Sequence, residues 1–326
     1  MRRAFDLLEL LSDGAEHAGA ELAQALGVTR AAVWHQVAQL REQGLAIDAS
    51  RRHGYQLAGG FEALCAQSIR GQLSAAARAL LAVDVVTITD STNERLLAAL
   101  NAGDIHGKAL LAEHQTAGRG RRGDRWLSPP GSGLCVSLGW RFDQPPATFS
   151  ALSLVVGMAI AASLRELGVA SAMLKWPNDI LCENGKLAGI LIEMRAEAGG
   201  PSRTVIGIGI NVQLSRQARA LIDQPVEDVV HASGQAMSRN RLAAVLLSAL
   251  ARTLPQFARD GFAVFRDDWR RYDQLADAAV RLELPHRVVE GIARGVDDHG
   301  ALLIEHDGRR ETFVSGHLLR ASHAAG

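Results

Sequence analysis

The sequence TAGRGRRGDRW, residues 116–126, places four arginines and three glycines within eleven residues. Guanidinium groups are fork-shaped donors that match carboxylate and phosphate oxygens, and glycine backbone can close tightly on a ligand. Because glycine loses much conformational freedom on ordering, such a loop is expected to order around a partner, which the charge predicts to be an anion. The candidate anion-binding residues are Arg119, Gly120, Arg121 and Arg122, with Trp126 as an apolar lid.

Two common nucleotide-binding motifs are absent from the chain. The Arg-Gly segment lacks GxxxxGK[ST], and GIGINV places Val212 where the third glycine of GxGxxG would fall. Taken alone, the Arg-Gly segment is therefore also compatible with a mobile surface loop.

The sequence TDSTNERLLAAL has the spacing of a helix N-terminus. Ser91 and Glu94 stand three residues apart, as in a capping box. The free N–H groups of a helix start, with the side chains of Ser91, Thr92 and Asn93, can also grip a polar ligand group. Both interpretations can hold at once.

The sequence KWPNDIL contains a turn-prone triplet after a lysine and a tryptophan. Asn178 and Asp179 offer adjacent oxygens to a magnesium ion, although most turns of this composition are purely structural. Lys186 follows Asn184-Gly185, a strong hairpin signal, and begins an apolar strand that anchors its stem. A fixed ammonium there can neutralise charge on a transferring phosphoryl group, whereas the alternative is an ordinary solvated lysine.

The elements that must position these side chains follow from the apolar patterns. Residues 66–273 alternate helix-like and strand-like segments, with two strands joined at residues 184–185 and a third after residues 201–203. The apolar run at residues 149–164 is too short to span a membrane and predicts a buried helix. These patterns predict a mixed or antiparallel sheet covered by helices, and the tail predicts a small β-barrel.

Residues 1–60 have the pattern of a winged helix-turn-helix. Two helical segments flank Gly27, Thr29 can cap the second of them, and a hairpin follows. The candidate DNA contacts are Thr29, Arg30, Trp34, His35, Arg51 and Arg52. Six arginines against seven acidic residues give this segment a formal charge of −1, so one copy is expected to bind DNA weakly.

The whole chain of 326 residues carries 35 basic and 35 acidic side chains, so any anion site must be local. Cys65, Cys135 and Cys182 show no CxxC pairing, which argues against a disulfide framework or a zinc site and favours a reducing cytoplasm. The N-terminus does not have the pattern of a signal peptide, and no membrane association is expected.

Together, five blocks in this order resemble the signature segments of the biotin protein ligases: TDSTN, EHQTAGRGRRGDRW, KWPND, GKLAGILIE and IGIGIN. The N-terminal winged helix and the terminal barrel are similar to those of the bifunctional type, which is also a biotin operon repressor. The resemblance implies an α/β multidomain protein: a winged helix-turn-helix at residues 1–60, a central α+β ligase domain with a mixed sheet at 66–273, and a small SH3-like β-barrel at 275–323. His35 and Asp124 depart from the family pattern, and His35 weakens the repressor expectation.

By the same resemblance, the chain forms biotinyl-5′-AMP from biotin and ATP with Mg²⁺, then transfers biotin to a lysine of a biotin carboxyl carrier protein, such as that of acetyl-CoA carboxylase. Lys186 and Arg121 are implied as catalytic. The implied biotin-binding residues are Ser91, Thr92, Asn93, Gln115, Arg119, Gly120, Arg121 and Lys186. The implied ATP-binding residues are Arg121, Arg122, Trp126, Asn178, Asp179, Lys186 and Asn211.

Operator DNA and a homodimer formed with bound adenylate are the other expected partners, and no metal ligand is assigned. Two alternatives stay open at this point. One is a lipoate-type ligase, which would run the same adenylation on a related fold. The other is a dedicated transcription factor whose ligase domain has become a degenerate ligand sensor.

Overall fold

The computed structural model describes residues 2–50, 54–57, 60–144, 149–183, 185–196 and 201–320. Its N-terminal region consists of three helices and one hairpin: α1 (Arg2–Leu10), α2 (Gly19–Ala25), α3 (Arg30–Glu42), β1 (Ile47–Ser50) and β2 (Gly54–Leu57). Thr29 caps α3 by accepting a hydrogen bond from the Ala32 N–H at 3.2 Å, and Gly27 takes a positive φ of 61° in the turn. The helix-turn-helix and its hairpin are confirmed, while Arg51 and Arg52 lie outside the described residues.

The central region is built on a seven-stranded sheet in the order β3-β4-β5-β9-β8-β7-β6. Its strands are β3 (Ala82–Thr89), β4 (Lys108–Gln115), β5 (Gly133–Phe142), β6 (Ala172–Lys175), β7 (Asp179–Cys182), β8 (Gly185–Ala196) and β9 (Ser202–Asn211). Only the β3–β4 pair is parallel among the pairings of this sheet, so the mixed sheet expected from the sequence is confirmed.

Helices cover this sheet and supply most of its core. They are α4 (Ala66–Gln72), α5 (Ala75–Leu80), α6 (Thr92–Ala99), α7 (Leu152–Glu166), α8 (Arg216–Ala220), α9 (Val229–Ser233), α10 (Arg239–Asp260) and α11 (Arg266–Arg270). The apolar run at residues 149–164 forms α7, which packs with α10 in the largest buried cluster. Eleven of the fifteen residues of α7 are buried, as expected for a helix that is apolar on most of its faces.

No helix within the described residues combines the length and the apolar character that crossing a membrane requires.

The C-terminal region is a five-stranded antiparallel sheet in the order β13-β12-β11-β10-β14. Its strands are β10 (Ala279–Glu283), β11 (Val288–Val296), β12 (Leu302–His306), β13 (Arg309–Phe313) and β14 (His317–Arg320). The Trp176 indole N–H, from the KWPND segment, donates to the Gly300 carbonyl at 3.1 Å. The segment nearest the predicted chemistry therefore also attaches the C-terminal sheet to the central region.

A buried ion pair fixes the connection between the N-terminal and central regions. Arg239 and Glu113 lie 2.8 Å apart, with side chains only 3% and 7% exposed. The Arg239 guanidinium also donates to the Glu62 carbonyl, and the Glu62 carboxylate accepts a hydrogen bond from Asn240 at 2.8 Å. One charged pair thus joins the linker, β4 and the start of α10.

We expect Glu113→Ala to lower the free energy of unfolding by about 3–5 kcal/mol, because it leaves the Arg239 charge buried without a partner. Denaturant titration measures the loss. Asp268→Ala is the matched control, because it removes an exposed partner of Arg271 and should cost at most about 1 kcal/mol. Equal losses in the two variants would contradict a stabilising role for the buried pair.

Candidate functional site

Three glycines on β8 and β9 clear a trough across one face of the central sheet. Gly189 pairs directly with Gly209, and Gly207 pairs with Leu191. A Cβ atom on Gly209 would lie 2.3 Å from the Trp126 indole. A Cβ atom on Gly207 would lie 2.3 Å from an oxygen of the Asn93 side chain. Side chains therefore lie directly on the strand backbone here, which only glycine permits.

A polar cluster of Thr92, Asn93, Gln115 and Ser137 lies at one end of the trough. The Gln115 side-chain oxygen accepts hydrogen bonds from the Thr92 N–H and hydroxyl at 2.7 and 2.9 Å. The Ser137 hydroxyl donates to Asn93 Oδ1 at 2.5 Å, and Asn93 Nδ2 donates to Glu193 at 2.8 Å. This end thus presents preorganised amide and hydroxyl groups at the first turn of α6, suited to a ligand with both donors and acceptors.

Ser91 is the N-cap of α6, with its hydroxyl accepting from the Glu94 N–H at 3.5 Å. The N-cap expected from TDSTN is therefore confirmed, whereas the Ser91 N–H donates to Asp90 Oδ1 at 2.7 Å and not to Glu94 as in a full capping box. The Glu94 carboxylate forms an ion pair with Arg119. The start of α6 is in this way connected to the Arg-Gly loop.

The Arg-Gly loop is held by backbone hydrogen bonds of its own. The Trp126 N–H donates to the Gly118 carbonyl at 2.9 Å, and the Gly120 N–H donates to the Asp124 carbonyl at 2.7 Å. Residues Arg121–Gly123 form a 3₁₀ turn in which Arg122 adopts a positive φ of 57°. The loop folds back so that Trp126 reaches the glycine trough.

The arginines of this loop have different partners. Arg119 pairs with Glu94 and, at 3.0 Å, with Glu193, so its charge is already matched by carboxylates. Arg121 donates to the neutral Asn178 side chain at 3.2 Å. Burial, with the neighbouring Arg122 charge, lowers the pKa of Arg121 from its ordinary value. Among the described residues no carboxylate forms an ion pair with this half-buried guanidinium, which favours an anionic ligand.

Lys186 is fixed in the same pocket. Its Nζ lies 2.9 Å from Asp179 Oδ1, an ion pair by distance whose angles do not meet hydrogen-bond geometry. The Lys186 N–H donates to the Pro225 carbonyl at 2.9 Å, and the Lys186 carbonyl accepts from the Glu227 N–H at 3.0 Å. With its backbone held on both sides, the ammonium is preorganised to meet negative charge.

Asn211 occupies a different place from the one expected. It does not line the pocket, and its amide donates to the carbonyls of Lys186 and Glu227 at 3.1 Å each. Because Asn211 ends β9 directly beside the start of β8, its side chain holds the backbone of Lys186. Its ATP-binding assignment stays a prediction that this geometry does not support.

The remaining predicted site residues come together in one pocket: Ser91, Thr92, Asn93, Gln115, Arg119, Gly120, Arg121, Arg122, Trp126, Asn178, Asp179 and Lys186. Lys175, Gln224 and His317 also line this pocket. No local motif marks Gln224 and His317, which arrive from distant segments. The sequence does contain one signal for the glycine trough, the alternation Gly207-Ile208-Gly209. Glycines two apart in a strand lie on the same face of the sheet and indicate that another group approaches the backbone closely there.

A magnesium ion that accompanies a nucleotide needs few protein ligands, usually one or two carboxylates besides the phosphates. Within the residues that the structure describes, no group of three or more metal-ligating side chains occurs. Asp179 Oδ1 is buried in the pocket and lies 2.9 Å from Lys186 Nζ, so a magnesium ion bound to this oxygen would share it with the ammonium. The Asn178 oxygen is already engaged by Arg121.

The predicted DNA contacts of α3 share one exposed face. Arg30 and His35 are exposed, and Trp34 is 64% exposed although it is large and apolar. His35 and Gln39 form a hydrogen bond of 3.2 Å along the same face. Thr29 is also exposed, but its hydroxyl serves as the helix cap.

Three family models match the chain in the order of its regions. An HTH domain matches residues 3–56, the biotin/lipoate A/B protein ligase family matches residues 85–211, and the biotin protein ligase C-terminal domain matches residues 278–317. The bifunctional ligase/repressor BirA of Escherichia coli is 38% identical over 313 residues, covering 96% of this chain and 95% of that protein.

A biotin–[acetyl-CoA-carboxylase] ligase of Mycobacterium tuberculosis is 38% identical over 259 residues, covering 78% of this chain and 94% of its own. Among solved structures, the biotin protein ligase of Aquifex aeolicus in complex with biotin and ATP superposes with a TM-score of 0.64 and 27% identity. That match covers 73% of this chain and 99% of the other.

We expect Gly207→Ala to disrupt the polar cluster, because the added Cβ must displace Asn93, which is buried and held by three hydrogen-bonded partners. Biotin binding, measured by calorimetry without ATP, should weaken at least about tenfold, the equivalent of roughly 1.4 kcal/mol. Gly71→Ala is the matched control, since nothing lies within 4 Å of its added Cβ. Unchanged biotin affinity in a folded Gly207→Ala protein would show that the trough is not part of the biotin-binding site.

Proposed function

The chain belongs to the biotin protein ligase family, and on this premise we propose that it activates biotin with ATP and transfers it to a lysine of a carrier protein. In the first half-reaction, a biotin carboxylate oxygen attacks the α-phosphorus of ATP and pyrophosphate leaves. In the second, the ε-amine of the carrier lysine attacks the acyl carbon of biotinyl-5′-AMP, and AMP leaves.

This proposal rests on one observation: the trough is lined by neutral polar side chains at one end and by cationic side chains at the other. Six cationic side chains line the pocket, whereas Asp124 and Asp179 are its only acidic lining residues in the described part of the chain. Leaving out Arg119, which Glu94 and Glu193 already match, five cations face two carboxylates, and this excess of three positive charges suits a triphosphate. The neutral polar cluster suits a ureido head group, which offers two N–H donors and one carbonyl acceptor.

Roles for individual residues follow from this polarity. The polar cluster and Ser91 would bind the biotin head group, with Arg119 and Gly120 closing the loop over it. Arg121 and Lys186 would meet the carboxylate and the α-phosphate, since their charges lie between the two ends. Arg122 and Asn178 would contact the nucleotide, and Trp126, close to Gly189 and Gly209, would form an apolar wall on the adenine side of the site.

Asp179, with Asn178 beside it, would hold the magnesium ion that arrives with ATP, and that ion would neutralise phosphate charge. A mixed anhydride hydrolyses readily in water. The Arg-Gly loop, which brings Trp126 onto the sheet, would keep water from the adenylate until the carrier lysine arrives.

The decisive assay combines the purified chain with ATP, magnesium, labelled biotin and a biotin carboxyl carrier domain, and follows the label on the carrier. Biotin-dependent exchange of pyrophosphate into ATP tests the first half-reaction alone. A lipoate-type ligase would exchange faster with lipoate than with biotin, and a degenerate sensor would label no carrier. The names of the relatives favour biotin over both alternatives.

Lys186→Ala should slow adenylate formation by about 10²–10³-fold, because one preorganised donor to charge developing in the transition state is lost. Transfer from preformed biotinyl-5′-AMP should suffer less, since no pyrophosphate leaves in that step. The two half-reactions are measured separately by rapid quench. Equal losses, or slowed transfer with normal adenylation, would show that Lys186 has another role.

We also propose that the chain is a biotin-responsive repressor. The winged helix-turn-helix and the exposed face of α3 support binding to operator DNA, and the formal charge of −1 on residues 1–60 makes one copy a weak binder. Useful affinity would then come from a dimer that presents two winged helices to one operator. Adenylate, by binding between the Arg-Gly loop and the sheet, would promote that dimer and act as corepressor.

Sedimentation with and without biotinyl-5′-AMP checks this dimer. The expected result is a monomer that becomes a dimer in the presence of adenylate, together with tighter operator binding. A protein that stays monomeric and still binds the operator tightly would contradict the dimer mechanism.

A further inference from the structure

Lysine is rare in this chain, and its distribution is uneven. Of the 35 basic residues only Lys108, Lys175 and Lys186 are lysines, and the other 32 are arginines. Two of the three lysines line the same pocket. The pocket therefore contains two of the three ammonium groups of the chain, and an ammonium is a compact point charge, whereas a guanidinium is a planar fork.

Strand pairing places Lys175 on the trough face of the sheet. Lys175 pairs directly with Asp179, Asp179 with Gly189, and Gly189 with Gly209. Directly paired residues project to the same face, so Lys175 continues the row that begins under Trp126. Because β6 is the edge strand, Lys175 lies at the end of the row farthest from the polar cluster.

The Lys175 ammonium has no partner that accounts for its position. Within the described part of the chain, its side chain makes no hydrogen bond and no ion pair within 4.0 Å, although it is half-buried. Burial lowers the pKa of Lys175, and the nearby Lys186 charge adds to this effect while Asp179 opposes it. Asp179 offsets part of this cost, but a half-buried ammonium without an ion pair of its own still favours a bound anion.

We propose that Lys175 binds the departing pyrophosphate of ATP, and so acts as a second catalytic lysine of the adenylation step; this inference rests on the proposed function. Attack and departure at phosphorus are roughly in line. The biotin carboxylate approaches from the polar cluster, so the leaving group points away from it, toward the edge strand. As the carboxylate oxygen bonds to the α-phosphorus, the bond to the bridging oxygen breaks and its electron pair stays on pyrophosphate.

In this division, Lys186 meets the α-phosphoryl group and Lys175 meets the β- and γ-phosphates, with Asp179 between the two ammonium groups. Asp179 lies 2.9 Å from Lys186 Nζ and is paired across the strands with Lys175. One carboxylate thereby limits the repulsion between the two lysines while leaving Lys175 free to bind phosphate oxygens.

Biotin-dependent exchange of labelled pyrophosphate into ATP tests this role, because pyrophosphate is a substrate of that reaction. Lys175→Met should raise the KM for pyrophosphate by about 10–100-fold, as expected for one lost charge-assisted hydrogen bond. Transfer of biotin from preformed biotinyl-5′-AMP to the carrier should stay within about twofold of wild type, because no pyrophosphate takes part. A merely structural lysine would not separate these two readouts.

Lys108→Met is the matched control, since Lys108 is the third lysine and is exposed at the start of β4. Its pyrophosphate KM should not change. If Lys175→Met fails to fold, Lys175→Gln carries the same prediction. A pyrophosphate KM that stays at the wild-type value, or a transfer step slowed as much as exchange, would overturn the proposal. Wild-type protein without biotin-dependent exchange would instead contradict the proposed function itself.

Discussion

The candidate site depends on the absence of side chains at Gly189, Gly207 and Gly209. Each glycine lets a side chain lie close to the sheet: a Cβ would collide with Asn93 at Gly207 and with Trp126 at Gly209, whereas at Gly189 it would make only tight contacts with Lys186 and Trp126. The strands themselves stay regular, with continuous antiparallel pairing between β8 and β9. The three glycines therefore form a regular floor that lets Trp126 of the Arg-Gly loop fold down onto the sheet. Gly207 also leaves the space that Asn93 of the polar cluster occupies.

The charges around this floor are not equivalent, and their partners separate two kinds of role. Arg119 is neutralised by Glu94 and Glu193 and so attaches the loop to α6 and β8. Lys186 forms an ion pair with Asp179, and Lys175 forms no ion pair with any of the described carboxylates. Since a matched ion pair has little attraction left for a ligand, the unmatched or shared cations dominate the field that a phosphate would meet.

Contacts from the other regions reach the same pocket. Gly44, just after α3, accepts a hydrogen bond from Ser215, in the connection that carries Gln224 and Pro225 to the pocket. On the opposite side, Trp176 fastens the C-terminal sheet, whose His317 lines the pocket. The site is therefore composite: the central sheet forms its floor, while segments connected to the two flanking regions form its walls.

Local patterns in the sequence determined the elements, because caps, turns and apolar periodicity act over a few residues. They predicted the Ser91 and Thr29 caps, the hairpin after Cys182 and the buried α7, and the family resemblance named most of the residues that line the pocket. Only the tertiary structure decided which charges are already matched, since Arg119 meets Glu193 across 74 positions of sequence. It likewise placed Asn211 behind Lys186, and aligned Lys175 with the glycine row. Strand register sets these relations, and register depends on the whole sheet at once.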